Sequence, residues 1–256
     1  MKDFETEVAD RLAANGVDER LQLTGREFMH ASTLPKYSYN FDWLGRPIIQ
    51  YPQDIVATQE IIWRVKPDLI IETGIAHGGS LVLSASMLAL LDYSDAVERG
   101  GVLDPGTPMR RVLGIDIDIR AHNRAAIQRH PLAGRIDRIA GSSTAPEVVS
   151  AVTEAANAAS CVLVMLDSNH THEHVLAELI AYSPLVSIGS YCIVFDTVVE
   201  DLPAEFSADR PWGPGNNPRT AVNEFLKSSP GFVVDTAMDN KLVISVAAGG
   251  YLRKVS

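Results

Sequence analysis

Four acidic residues that close apolar runs are the side chains in this chain best placed to do chemistry: Glu72, Asp116, Asp167 and Asp196. The runs ahead of them are Leu69-Ile-Ile, Val112-Leu-Gly-Ile, Val162-Leu-Val-Met-Leu and Cys192-Ile-Val-Phe. Strands of this kind, alternating with helices, form parallel sheets whose ligands bind outside the carboxyl ends. Glu72 also opens a glycine-rich turn, Glu72-Thr-Gly74-Ile-Ala-His77-Gly-Gly-Ser80, which leads into an apolar helix. Backbone N–H groups and the positive helix end would surround a polar or anionic ligand group there.

The glycine spacing narrows the ligand. A dinucleotide fingerprint needs three glycines as G-x-G-x-x-G, for a tight turn and close pyrophosphate approach. Here the glycines are Gly74, Gly78 and Gly79, and Glu72 ahead of them repels a pyrophosphate. A cationic, phosphate-free ligand suits this turn, and S-adenosylmethionine carries a sulfonium, an ammonium and a ribose. On this reading Gly74, His77 and Ser80 contact the cofactor, and Glu72 either organises the turn or takes the ammonium. Asp116 accepts from the ribose hydroxyls, with Asp118 as its alternative. Ser142 and Ser143 are placed to meet the adenine edge.

Asp167 borders the cofactor and also ends a strand next to the one closed by Asp196. Two carboxylates so close repel unless a divalent cation lies between them or one is protonated. Oxygen donors without thiolate favour Mg2+ or another hard ion. The alternative is that one of the two caps a helix. In Asn169-His-Thr-His-Glu-His174, only His170 and His174 share a helix face, which argues against a zinc site. His172 and His174 read as exposed helix surface. His170, nearest the crevice, suits a general base toward a hydroxyl or a partner for a carboxylate.

The elements that must position these groups follow from periodicity. Strands are expected at Asp68–Glu72, Arg111–Asp116, Arg135–Ala140, Cys161–Asp167 and Ser190–Asp196. Between them the pattern predicts helices Ser80–Leu91, His122–His130, Ala145–Ala158 and His172–Tyr182. Upstream lie an amphipathic helix over Asp3–Asn15, an aromatic-rich segment Lys36–Pro47 without a period, and a helix over Pro52–Val65. Downstream, helix Thr220–Leu226 precedes strand Gly231–Asp235 and strand Lys241–Ala247, joined by a Met238-Asp-Asn-Lys turn. Asp92–Pro108 and Val198–Pro218 read as long irregular segments, and the second is the candidate substrate lid. The fold class is therefore α/β, a Rossmann-like seven-stranded, mostly parallel sheet with an antiparallel last strand and an N-terminal helical extension. Residues 1–66 form the extension and substrate-side cap, and 67–256 the cofactor domain, within one compact unit.

Bulk composition sets the outer bounds. With 256 residues, 46% of them apolar, the chain can bury a sizeable core. A net charge of −10 and the lack of any Lys/Arg run argue against a nucleic-acid partner. Cys161 and Cys192 sit in apolar runs and read as buried free thiols. The polar, acidic start Met1-Lys-Asp-Phe-Glu-Thr-Glu-Val is unlike a signal peptide, and the apolar stretch Leu81–Leu91 is too short to span a bilayer. A cytoplasmic protein with no membrane partner is expected.

Four segments together resemble the cephalosporin hydroxylase and rhamnosyl O-methyltransferase family of bacteria. They are Tyr39-Asn-Phe-Asp-Trp-Leu-Gly-Arg-Pro-Ile-Ile-Gln50, Ile70–Ser80, Leu166-Asp-Ser-Asn-His170 and Glu173-His-Val-Leu-Ala-Glu-Leu179. The resemblance spans roughly Tyr37 to Leu226. It implies a class I methyltransferase fold, S-adenosylmethionine-dependent O-methylation of natural products, notably deoxysugar hydroxyls, Mg2+ use, and a homo-oligomer. It departs at Phe195: relatives usually carry two adjacent acids where this chain has Phe195-Asp196, so Glu200 or Asp201 would have to substitute as a metal ligand. On this reading Asp167, His170 and Asp196 are catalytic, and Asp167 and Asp196 hold the metal. The alternatives are a nicotinamide-dependent oxidoreductase of similar topology and a non-catalytic binding protein with the same fold.

Overall fold

The computed structural model describes residues 3–256; Met1 and Lys2 of the N-terminal stretch lie outside the described residues. The apolar runs become strands β3 (Leu69–Thr73), β4 (Arg111–Asp116), β5 (Ile136–Ala140), β6 (Val162–Leu166) and β7 (Tyr191–Val194). β8 (Phe232–Val234) and β9 (Tyr251–Lys254) complete a seven-stranded sheet in the order β5-β4-β3-β6-β7-β9-β8. The first five strands are mutually parallel, and β9 runs antiparallel between β7 and β8. Strand order reverses between β3 and β6, which register as Thr73 opposite Leu166. Such a switch point opens a crevice at the carboxyl ends.

Helices cover both faces. Alternate residues of β3 and β6 point to opposite sides, as in any strand. Ile70 and Leu163 join one buried cluster, Ile71 and Val164 the other. The first cluster is closed by α3 (Pro52–Val65), α4 (Gly79–Arg99) and α5 (Ala121–Arg129), through Ile61, Leu81, Leu88 and Ile127. The second is closed by α6 (Pro146–Asn157), α7 (His172–Tyr182) and α8 (Pro218–Ser228), through Val152, Leu179 and Phe225.

Four features differ from the sequence reading. Helix α4 continues to Arg99, so the first part of the expected Asp92–Pro108 irregular segment, residues 92–99, is helical. Its inner acids Asp92 and Asp95 are tied to Arg110, at 2.5 and 2.8 Å, and Asp92 also to Arg135. Paired charges of this kind can be buried without breaking the helix. At 21 residues α4 is long and apolar enough to cross a membrane by composition, yet it packs on the sheet as a core helix.

The expected strand Lys241–Ala247 and its Met238–Lys241 turn are instead helix α9 (Thr236–Leu242) and a loop. Asp235 caps α9 by accepting from the Met238 N–H at 3.2 Å. The loop that follows is held by Asp54 of α3, which takes the Ser245 hydroxyl at 2.6 Å and the Val246 N–H at 3.0 Å. A buried carboxylate has taken the place of a strand partner, overriding the β propensity of Val-Ile-Ser-Val.

Two N-terminal elements were not legible. α1 (Phe4–Val17) matches the expected first helix, and α2 (Glu19–Thr33) follows it directly. The buried positions of α2 are Gly25, Met29 and Ser32, a helical spacing made largely of small residues. The Lys36–Pro47 segment contains a hairpin, β1 (Phe41–Trp43) with β2 (Arg46–Ile48). It lies across the start of α4, where a side chain at Gly79 would sit 2.2 Å from the Pro47 carbonyl.

Candidate active site

The glycine turn is shaped by what passes behind it. Gly74 has φ +87°, and a Cβ there would lie 2.0 Å from the Asp167 carbonyl oxygen. Only glycine allows both the left-handed conformation and that approach. Asp116 fixes the turn from the neighbouring strand: its Oδ2 accepts the Ile75 N–H at 2.8 Å and the Ala76 N–H at 3.3 Å. Its Oδ1 accepts the Asp118 N–H at 3.0 Å. Asp118 itself is exposed. Asp116 lines a cavity of about 110 Å³ with Gly74, Ser142, Ser143 and His174.

A larger cavity, about 610 Å³, opens beside the same turn and is lined by His77, Ser80, Asp167, His170 and Asp196. Glu72 does not line it. Its carboxyl is 2% exposed, takes the Ser80 hydroxyl, and faces a small cavity behind the turn. Burial pushes its pKa up to about 8, partly offset by the Ser80 hydrogen bond.

Asp167, His170 and Asp196 converge on the wall of the large cavity, each offering a ligand atom within 4.8 Å of the others. His170 Nε2 lies 3.1 Å from Asp196 Oδ2. Burial and the nearby Asp196 hold the Asp167 carboxyl well above the usual carboxylate range. Asp196 stands in a left-handed conformation, φ 55° and ψ 20°, two residues beyond the end of β7. Two carboxylates and an imidazole at this spacing fit a divalent cation.

Phe195 contributes nothing to this cluster; it is 6% exposed and belongs to the core. Neither Glu200 nor Asp201 substitutes for it. Glu200 Oε2 takes the Gly215 N–H at 2.8 Å and the Asn217 side chain at 2.5 Å. Asp201 pairs with Arg219 at 3.4 Å, and its carbonyl contacts His30 at 2.8 Å. Both acids brace the segment 198–217 over the cavity, and among the described residues the third potential ligand is His170. Trp212 of that segment sets its ring edge-on to His170, centroids 5.2 Å apart.

The histidines after His170 are not simply exposed surface, as the pattern had suggested. His172 Nδ1 lies 2.8 Å from Thr220 Oγ1 and its Nε2 3.2 Å from Glu224. His174 Nε2 lies 3.0 Å from Ser143 Oγ and 3.2 Å from Ser168 Oγ, at the edge of the smaller cavity. Helix α7 therefore docks to α8 through one histidine and to the crevice through the other.

Three positioning residues went unread in the sequence. Arg46 Nε donates to the His77 carbonyl at 3.0 Å, and its Nη2 to Asn123 Oδ1 at 3.1 Å. Asn123 Nδ2 donates to the Ala76 carbonyl at 2.8 Å. Gln50 Nε2 reaches Asp167 Oδ2 at 3.4 Å. Arg46 and Gln50 both fall within the Tyr39–Gln50 segment, whose polar residues were the available signal.

The sheet order and the crevice define the class: a Rossmann-like methyltransferase. The family model described as Rhamnosyl O-methyltransferase/CmcI matches residues 35–255. The chain belongs to that family of S-adenosylmethionine-dependent O-methyltransferases, which sets aside the nicotinamide and non-catalytic alternatives. It is 27% identical over 214 residues to a Rhamnosyl O-methyltransferase of Mycobacterium leprae, covering 82% of this chain and 81% of that protein. A Rhamnosyl O-methyltransferase of Mycobacterium tuberculosis (strain H37Rv) is 29% identical over 196 residues, covering 76% of this chain and 70% of its own length. The solved structure "cmcI-D160 Mg-SAM" has TM-score 0.52 and 19% identity, covering 85% of this chain and 78% of that one. "CmcI-N160 apo-structure" also has TM-score 0.52 and 19% identity, covering 85% and 77%. At these identities the structural likeness supports the fold alone.

Proposed function

We propose that this chain methylates a hydroxyl of a deoxysugar, most simply a rhamnosyl group on a natural product, with Mg2+ held by Asp167 and Asp196. The convergence of Asp167, His170 and Asp196 beside the glycine turn carries this reading. The names of the mycobacterial relatives support the acceptor class.

In this reading the methionine end of S-adenosylmethionine lies against the turn Gly74–Ser80, under the amino end of α4. Glu72 backs that turn through Ser80. The ribose sits by Asp116, and the adenine by Ser142 and Ser143 in the smaller cavity. A bound Mg2+ would orient the acceptor hydroxyl and lower its pKa. The acceptor oxygen attacks the methyl carbon in line with the departing sulfur, and the C–S electrons leave with the thioether. His170 takes the hydroxyl proton, and Asp196, 3.1 Å away, stabilises the resulting imidazolium. Alignment of oxygen, carbon and sulfur supplies on the order of 7–11 kcal/mol of the barrier reduction.

The acceptor side is walled by Tyr39 of the N-terminal extension and by Phe206, Arg210 and Trp212 of the 198–217 segment. Apolar and aromatic walls with few charges suit a sugar carried on an apolar aglycone. The test is methyl transfer to a panel of rhamnosyl glycosides, with and without EDTA. Product on a glycoside that falls with EDTA is expected. Tight binding of S-adenosylhomocysteine without product on any glycoside would overturn the acceptor assignment.

A further inference from the structure

Behind the glycine turn lies a third, small cavity of about 10 Å³, lined by the polar residues Gln50, Thr58, Glu72, Ser80, Ser84 and Asp167 and by apolar side chains such as Ile48, Met165 and Phe195. Three of its polar groups are more than nine-tenths buried: Glu72 at 2%, Ser84 at 0% and Gln50 at 6% exposure. Each presents an atom without a partner among the described residues, namely Glu72 Oε2, Ser84 Oγ and Gln50 Oε1. An unsatisfied buried polar atom costs roughly 1–3 kcal/mol, so three around one void call for a common partner. The void has room for about one water molecule, which needs two to four polar neighbours.

We propose that a single buried water joins Glu72, Ser84 and Gln50, completing a hydrogen-bonded chain from Ser80 through Glu72, the water and Gln50 that orients the Asp167 carboxylate. The directions of the bonds agree along its length. Ser80 donates to Glu72 Oε1, and Gln50 donates through Nε2 to Asp167 Oδ2 at 3.4 Å, leaving Gln50 Oε1 in need of a donor. With Asp167 ionised, the opposite amide orientation would set Gln50 Oε1 against a carboxylate oxygen, which is repulsive. Among the described residues no Lys, Arg or His pairs with Glu72, and its pKa of about 8 keeps it a neutral acid whose free oxygen donates to the water. Glu72 is then a positioning residue that never touches substrate. It links the turn that holds the cofactor to the carboxylate that faces the acceptor.

This inference rests on the role given to Asp167 above, and the experiment separates the two. The full chain is crystallised with S-adenosylhomocysteine, and kinetics are measured for Glu72→Leu, Gln50→Leu and Glu72→Gln. An ordered water in contact with Glu72, Ser84 and Gln50 is expected. Glu72→Leu and Gln50→Leu should each lower kcat roughly tenfold to a hundredfold, while in Gln50→Leu, which leaves the Ser80–Glu72 bond in place, affinity for S-adenosylhomocysteine holds within about threefold. Glu72→Gln keeps both an acceptor and a donor and should restore most of the turnover. The infrared carbonyl band of a protonated carboxylic acid should be present in the parent and lost in Glu72→Gln. A dry cavity, or Glu72→Gln as impaired as Glu72→Leu, overturns the water chain. Loss of S-adenosylhomocysteine binding by the unaltered protein would instead overturn the reading on which it rests.

Discussion

Asp116 Oδ2 lies 2.8 Å from the Ile75 N–H, so the carboxylate assigned to the ribose also holds the glycine turn in place. With the Ala76 and Asp118 N–H groups it accepts three backbone bonds, and one side chain shapes both halves of the site proposed for the cofactor. Asp116→Ala is expected to weaken S-adenosylhomocysteine binding by roughly tenfold to a hundredfold, the equivalent of one or two charge-assisted hydrogen bonds. Calorimetry on the folded variant measures it, and unchanged affinity would remove Asp116 from the site.

Asp167→Asn keeps the shape of the cluster and removes a charged oxygen donor. Turnover should fall by a hundredfold or so, affinity for the methyl donor should change little, and the variant should no longer respond to EDTA. Steady-state kinetics with and without chelator provide the readout. Full turnover in Asp167→Asn would end the metal assignment.

Trp212 stands edge-on to His170, and its segment is braced by Glu200. Trp212→Ala frees the imidazole and opens the acceptor wall. Misplacement of a reacting group by about 1 Å costs on the order of a hundredfold, so kcat/KM for the acceptor should fall by tenfold to a hundredfold. S-adenosylhomocysteine affinity should be unaffected.

Glu72 makes stability depend on pH in a definite direction. Its carboxyl titrates near 8 in the folded chain and near 4.5 when unfolded. Between those values the folded state keeps a proton that the unfolded state has released, so unfolding is favoured as pH rises. The contribution is fully present below about pH 4.5 and lost by about pH 8, with a slope near 1.4 kcal/mol per pH unit. Urea titrations across this range should show the decline, and Glu72→Gln should flatten it. A parent and variant with parallel profiles would refute the assignment.

The sheet was legible because each strand is an apolar run closed by an acid or a small polar turn, and because Gly74 can be nothing but glycine. The site was legible for the same reason: Asp116, Asp167 and Asp196 end strands, so topology alone brings them together. What stayed hidden depends on contacts distant in sequence. Val243–Val246 looks like a strand until Asp54 of another helix captures its backbone. Helix α2 buries Gly25 and Ser32, which carry no apolar signal. Asp92 and Asp95 resemble loop acids until Arg110 and Arg135 arrive to neutralise them. The small cavity behind Ser80 is built from four stretches, residues 48–58, 72–84, 165–167 and Phe195, and no spacing within one of them announces it.

The backbone at Asp196, turned to φ 55°, has a consequence for how this protein can change. A side chain in that conformation is tolerated best by asparagine and aspartate, and its charge here also bears on both Asp167 and Asp54. Asp196→Asn should therefore melt at a higher temperature than the parent while making almost no product, a result that calorimetry and an activity assay would settle together. Position 196 is a point where heat tolerance and usefulness pull in opposite directions. A lineage kept warm with no demand for its methylated product would be expected to surrender this acid early.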